Sequence, residues 1–184
     1  MKNDNPFKTI STKVVYQNPW ITVEENEIIH PDTGGGIYGV VITKDSVTVV
    51  PVNNKGEIFL IRSFSYPAQK WHWELPAGGV GDDDFITASK RELFEETGIK
   101  AKTWQKIGVA RPMDGLMPER MAALLATDLV IGEIPKADDN HLISDRRFFD
   151  LPTVREMVRK GKIDEGQSLS ALYYYELYLQ KEEK

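Results

Sequence analysis

The chain has 184 residues, 41% of them hydrophobic, with a formal net charge of −5 and no cysteine. The length supports a substantial core. The charge argues against a general nucleic-acid-binding surface, and the missing thiols exclude disulfides and thiolate-held zinc. No stretch is long and apolar enough to span a bilayer, and MKNDNPFKTIST has no hydrophobic signal core, so a soluble, cytoplasmic protein is expected.

In chain order, KVVYQ and the alternating WITVEENEII read as strands. HPDTGGGIYG reads as a turn, because Pro31, Asp32 and Gly34 to Gly36 permit tight backbone. VVITKDSVTVVPV reads as a hairpin turning near Lys44 and Asp45. VNNKGEIFLIRSF is a turn followed by a strand, and WHWELPAGG is a strand ending in a glycine loop. Residues 84 to 97 form the first predicted helix, stopped by Gly98. TWQKIGVARP and MAALLATDLVI are further strands. Residues 152 to 161 and 165 to 182 complete the set as two helices, and the aromatics all around LSALYYYELYL predict burial against the domain or a partner. Strands with few interspersed helices suggest an α+β fold or an α/β/α sandwich. Residues 1 to 48 read as a small β appendage and residues 49 to 184 as the main domain.

The stretch RELFEETGI places Glu92, Glu95 and Glu96 within roughly 100° of helical arc. Leu93, Phe94, Thr97 and Ile86 fall on another side, which predicts a core face and a carboxylate face. Two carboxylates at about 4 Å repel by roughly 4 kcal/mol at an effective dielectric near 20. Such a cluster is either a solvated acidic face or a cation site. The upstream loop Pro76-Ala77-Gly78-Gly79 favours the cation, because glycine lets main-chain groups approach a metal or a phosphate. Hard oxygen ligands select Mg²⁺ or Mn²⁺. Arg91, four residues before Glu95, can neutralise and orient one carboxylate.

GGVGDDDFITASKRELFEETGI resembles the Nudix box, G-x5-E-x7-R-E-U-x-E-E-x-G-U with U aliphatic. Residues 91 to 99 match its second half at every fixed position. Counted from Gly78, the first acidic position falls on Asp84 and the spacing to Arg91 is one residue short, so Asp83 or Asp84 replaces the usual glutamate. The resemblance implies an α/β/α sandwich around a mixed sheet. It also implies that Glu92 and Glu96 are the main metal ligands, that Glu95 ligates directly or through water, and that the Ala77 carbonyl adds a further ligand. Mg²⁺ would then clamp a diphosphate for attack by water, with no protein nucleophile needed.

The whole chain is similar to the ADP-ribose and nucleoside diphosphate sugar pyrophosphatase branch of that family. NPWITVEENEIIHPDTGGGIYGVV, LIRSFSYPAQKWHWELPAGG and ARPMDGLMPERMAALLATDL carry the likeness. It implies that residues 1 to 48 are exchanged in a homodimer. It implies ADP-ribose as first substrate and GDP-mannose next, cut to a nucleoside monophosphate and a sugar phosphate. Trp20 and Tyr38 match two aromatic positions that sandwich a purine; the alternative is packing at the dimer seam. Gly78 and Gly79 are assigned to substrate, and Glu74 faces either the site or a structural arginine. Ser63-Phe64-Ser65 stands where the branch has an arginine, and Arg62 points to the other sheet face. Trp71, Trp73 and Tyr66 read as core or dimer packing. Glu119 matches a glutamate that meets substrate, with a plain salt bridge as its alternative. Glu133, Asp138 and Asp139 are the other candidates for the general base, and His141 reads as a surface residue. Other Nudix substrates, such as dinucleoside polyphosphates or NADH, and a non-catalytic sensor remain as competing readings. The sensor conflicts with the intact glutamates.

Overall fold

The structure, a computed structural model, describes residues 5 to 135 and 142 to 182. It divides into two compact units. One runs to Lys44 and takes in Met113–Glu119; the other comprises Asp45–Pro112 and the chain from Arg120 onward.

The smaller unit is an antiparallel sheet of β1 (Lys8–Gln17), β2 (Thr22–His30) and β3 (Gly34–Ile42). Only residues 31 to 33 form the turn before β3. Gly34, Gly35 and Gly36 are already strand, paired with His30, Ile29 and Ile28. The predicted long glycine turn is thus a short turn plus the first rungs of a ladder. Gly34 has φ +84, a left-handed value that suits glycine where the chain enters β3. The segment 113–119 belongs here through Val41 N–H donating to the Leu116 carbonyl at 3.0 Å.

The larger unit holds two sheets. β4 (Ser46–Pro51), β7 (Ala77–Gly79), β9 (Met121–Ile131) and β8 (Ile99–Ala110) form a mixed sheet in the order β7-β4-β9-β8. β10 (Ile143–Phe149), β5 (Ile58–Ser65) and β6 (Lys70–Glu74) form an antiparallel sheet in the order β10-β5-β6. The helices are α1 (Phe85–Thr97), α2 (Leu151–Arg159) and α3 (Gly166–Glu182). Among the described residues no helix is long and apolar enough to cross a membrane.

The hairpin expected around Lys44 and Asp45 does not form. β3 and β4 lie in different sheets, and β4 pairs in parallel with β9 instead. All six residues of β4 are buried, as suits a central strand covered on both faces. Its alternation sorts the layers. Val47 and Val49 pack on the side of Ala88 and Leu93 of α1, while Val50 joins Val154, Ala171 and Leu172 of α2 and α3. β9 repeats the pattern, with Ala122, Leu124 and Ala126 facing the first side and Met121, Ala123 and Leu125 the second. The result is the expected α/β/α sandwich around a mixed sheet.

The aromatic C-terminal helix is buried along one side. Leu172 and Tyr175 are in the core, whereas Tyr173 is exposed. Trp73 packs edge-on against Phe149 beside the core, while Trp71 lies at the surface with Phe64 and Tyr66 is exposed.

Candidate active site

Helix α1 starts on Asp84, whose carboxylate accepts from the N–H groups of Ile86 at 2.8 Å and Thr87 at 3.0 Å. These bonds, with the Thr87 hydroxyl, hold Asp84 below the usual carboxylate range. The helix ends on Gly98 at φ +71, whose N–H donates to the Phe94 carbonyl. A Cβ on Gly98 would overlap the main chain of Glu133. Glycine is therefore required there both by conformation and by space.

Of the face expected in the core, Leu93 and Thr97 are buried, and the carboxylate face is not a solvated surface. Glu92 and Glu96 are 8% and 7% exposed, as buried as much of the core, while Ile86 in the first turn is exposed. Glu95 alone of the three lies at the surface. Burial, together with the nearby Glu96 and Glu95 charges, pushes Glu92 up to about 7 against the pull of Arg91. Burying charge at this cost is unusual in a helix that serves only the fold.

The glycine loop lies directly against these carboxylates. A Cβ on Gly78 would overlap the Glu92 carboxyl. The Ala77 N–H donates to Glu96 Oε2 at 3.1 Å. Arg91 closes the arrangement. Its guanidinium donates to Glu92 at 2.6 Å, to the Gly79 carbonyl at 2.8 Å, and more loosely to Glu95 at 3.4 Å and Asp83 at 3.5 Å. In the short loop Asp84 caps the helix and Asp83 meets Arg91.

Further side chains support the glutamates. Arg146 Nε donates to the Glu96 main-chain carbonyl at 2.6 Å, placing a cation in the last turn of α1. Glu74 ends β6, and Ser63 Oγ donates to it. Burial pushes Glu74 up, and the Glu96 and Glu165 charges add to the effect. Arg62 stacks over Trp71 at 5.0 Å, on the strand face opposite Ser63. Sequence reasoning does not single out Ser63 or Arg146, because the partner of Ser63 lies across a strand pair and that of Arg146 50 residues away. For His72 the local trace is the alternation of Lys70, His72 and Glu74.

Gly79, Glu95 and Glu92 thus share Arg91, and Ala77 is joined to Glu96. In this arrangement no three acidic or imidazole groups are gathered as ion ligands among the described residues. The donor chemistry nevertheless fits a hard divalent cation. It consists of oxygen throughout, with buried glutamates and a main-chain loop that comes within contact of them.

The remaining candidates come from other segments of the chain. Trp20 stands between β1 and β2 at 74% exposure. Tyr38 is in β3, its hydroxyl donating to the Gly115 carbonyl at 3.2 Å and its ring edge-on to Phe7. Both residues, with Glu119, belong to the smaller unit. Glu133 lies beside the Gly98 cap. Asp138, Asp139 and His141 fall outside the described residues.

A layered α/β unit whose box helix carries buried glutamates under a glycine loop defines a class, and the sequence comparison agrees with it. The NUDIX domain model matches residues 42–172, and the chain belongs to the Nudix family. A second model, the nucleoside diphosphate sugar hydrolase N-terminal domain, matches residues 7–41. Among relatives, the ADP-ribose pyrophosphatase of Mycobacterium tuberculosis is 28% identical over 87% of this chain and 78% of its own. The ADP-ribose pyrophosphatase of Bacillus subtilis is 25% identical over 92% of both chains. A solved structure of an ADP compounds hydrolase superposes with a TM-score of 0.85 over 97% of this chain and 96% of its own. At 18% identity that likeness concerns the fold.

Proposed function

We propose that the chain hydrolyses the diphosphate bond of nucleoside diphosphate sugars, ADP-ribose first and GDP-mannose next. The products are a nucleoside monophosphate and a sugar phosphate. The observation that carries this reading is the contact of Gly78 with the buried Glu92 carboxyl. It brings a main-chain loop able to receive a phosphate against acidic groups that need a cation. The two relatives named as ADP-ribose pyrophosphatases and the N-terminal domain match support the choice of substrate.

Glu92, Glu96, Glu95 and the Ala77 carbonyl would hold Mg²⁺ or Mn²⁺. When bound, such a cation draws charge from the diphosphate and favours attack at phosphorus. Arg91 keeps the glutamates and the loop in register, while Gly78, Gly79 and Glu74 meet the substrate. Trp20 and Tyr38 stack on the base, an interaction that tolerates any base. In the reaction, water forms a bond to one phosphorus while the bridging P–O bond breaks. The water proton passes to a carboxylate, with Glu119 and Glu133 as candidates among the described residues. A cytoplasmic setting and a homodimer built on the smaller unit complete the proposal.

The test is phosphate release, coupled to a phosphatase, with ADP-ribose, GDP-mannose and UDP-glucose side by side in Mg²⁺. Turnover of ADP-ribose or GDP-mannose is expected. Silence on all three would overturn the reading.

A further inference from the structure

β6 carries a polar series that the box itself does not use. Lys70, His72 and Glu74 alternate onto one side of the strand. Lys70 is ion-paired with Asp164, in the link between α2 and α3. Asp164 Oδ1 lies 3.5 Å from His72 Nδ1. His72 Nε2 in turn lies 3.1 Å from Glu74 Oε2, and the other Glu74 oxygen accepts from Ser63. The Trp73 N–H donates to the Lys162 carbonyl at 2.8 Å, tying the strand to the segment that bears Asp164. The series runs from the exposed Lys70 inward to a carboxylate that feels the Glu96 charge.

The imidazole is the unusual member. His72 is 7% exposed. Its Nε2 is fully covered, and despite the 3.1 Å approach to Glu74 it makes no hydrogen bond of good geometry. A covered ring nitrogen without a partner is costly, and Glu74 is the acceptor beside it. The ring stands between two carboxylates, yet a neutral imidazole has one N–H. It therefore meets both only by carrying two protons or by sharing one with Glu74. In either form the direction of the Glu74 carboxylate is tied to the ring. Glu165, the other acid near Glu74, is already occupied by the N–H groups of Gln167 and Ser168 at the start of α3.

We propose that His72 is a positioning residue for the hydrolysis: backed by Asp164 and opposed by Ser63, it fixes the Glu74 carboxylate in the direction in which it meets the substrate. This inference rests on the function proposed above.

The experiment is a double-mutant cycle of His72→Ala and Glu74→Gln on the nucleoside diphosphate sugar that the unmutated chain turns over best. Each single change is expected to lower kcat about 10- to 100-fold with KM nearly unchanged. The double variant is expected to be no slower than Glu74→Gln alone. His72→Gln, which keeps an N–H donor toward Glu74, should recover much of the lost kcat. Should His72→Ala fail to fold, His72→Asn, whose shorter side chain does not reach Glu74, replaces it in the same cycle and should show the same lack of additivity. A lowered melting temperature with unchanged kcat, or losses that multiply in the double variant, would overturn the inference while leaving the function standing. An unmutated chain that turns over none of the sugars would overturn the function and the inference with it.

Discussion

The Glu92 carboxyl occupies the space beside the Gly78 Cα that a Cβ would take. This contact joins the glycine loop to the box helix, beside the Ala77–Glu96 and Arg91–Gly79 hydrogen bonds. An alanine at position 78 must displace the glutamate, the loop or both. Gly78→Ala is therefore expected to lower turnover by about 100-fold, the scale on which small displacements act in active sites. Steady-state kinetics alongside circular dichroism checks this; normal kcat would contradict the contact.

Gly98 is constrained twice, by φ +71 and by the Glu133 main chain. Gly98→Ala should destabilise the protein by about 1–3 kcal/mol, through left-handed strain and the displaced segment. Urea unfolding measures it. An unchanged midpoint would mean that the 132–134 segment does not pack on the helix end.

Acid should loosen the start of α1. Asp84 is held below its ordinary 3.8 by the Thr87 and Ile86 bonds. The unfolded chain therefore takes up this proton at a higher pH than the folded one. The stabilisation is present above about 3.8 and is lost as pH falls through the lowered value. Asp84→Asn, which still caps the helix, should flatten this part of the acid limb while leaving neutral stability nearly intact. Thermal melts across the acid range provide the check. An unaltered acid limb in that variant would contradict the assignment.

The smaller unit exposes Val14, Val15, Tyr16, Trp20 and Ile37 at 49–74%. A three-stranded sheet with this much exposed apolar surface is expected to find a partner. Sedimentation should give about twice the 20.9 kDa chain mass, and Ile37→Asp should shift it to the monomer. A strictly monomeric unmutated chain would contradict the homodimer.

What sequence reasoning captured was local. The helix over residues 84–97 and its Gly98 stop follow from local signals, which act within one turn; that Asp84 caps the helix rather than opening it is seen only in the structure. The Glu92, Glu95 and Glu96 spacing follows from helical period. What escaped it was pairing at a distance. SVTVVP reads equally well as one arm of a hairpin or as a central strand, and its parallel partner lies more than seventy residues away. β10 was missed altogether, because ISDRRFF carries Asp145, Arg146 and Arg147 at its centre. It is a strand through its ladder with β5, and Arg146 reaches Glu96 from it. The burial of Glu92 and Glu96 likewise comes from tertiary packing, which the helical period alone does not give. The His72 series was hidden for the same reason, since Asp164 comes to β6 from another segment.

The most direct test of the account is the turnover of ADP-ribose by Glu96→Gln beside the unmutated chain, at saturating Mg²⁺ and with melting temperatures measured on both. The account predicts a loss of kcat of at least about 100-fold with a native melt, because a neutral amide cannot replace the carboxylate that holds the cation. Full turnover in the well-folded variant would contradict it and move the chemistry away from the box helix.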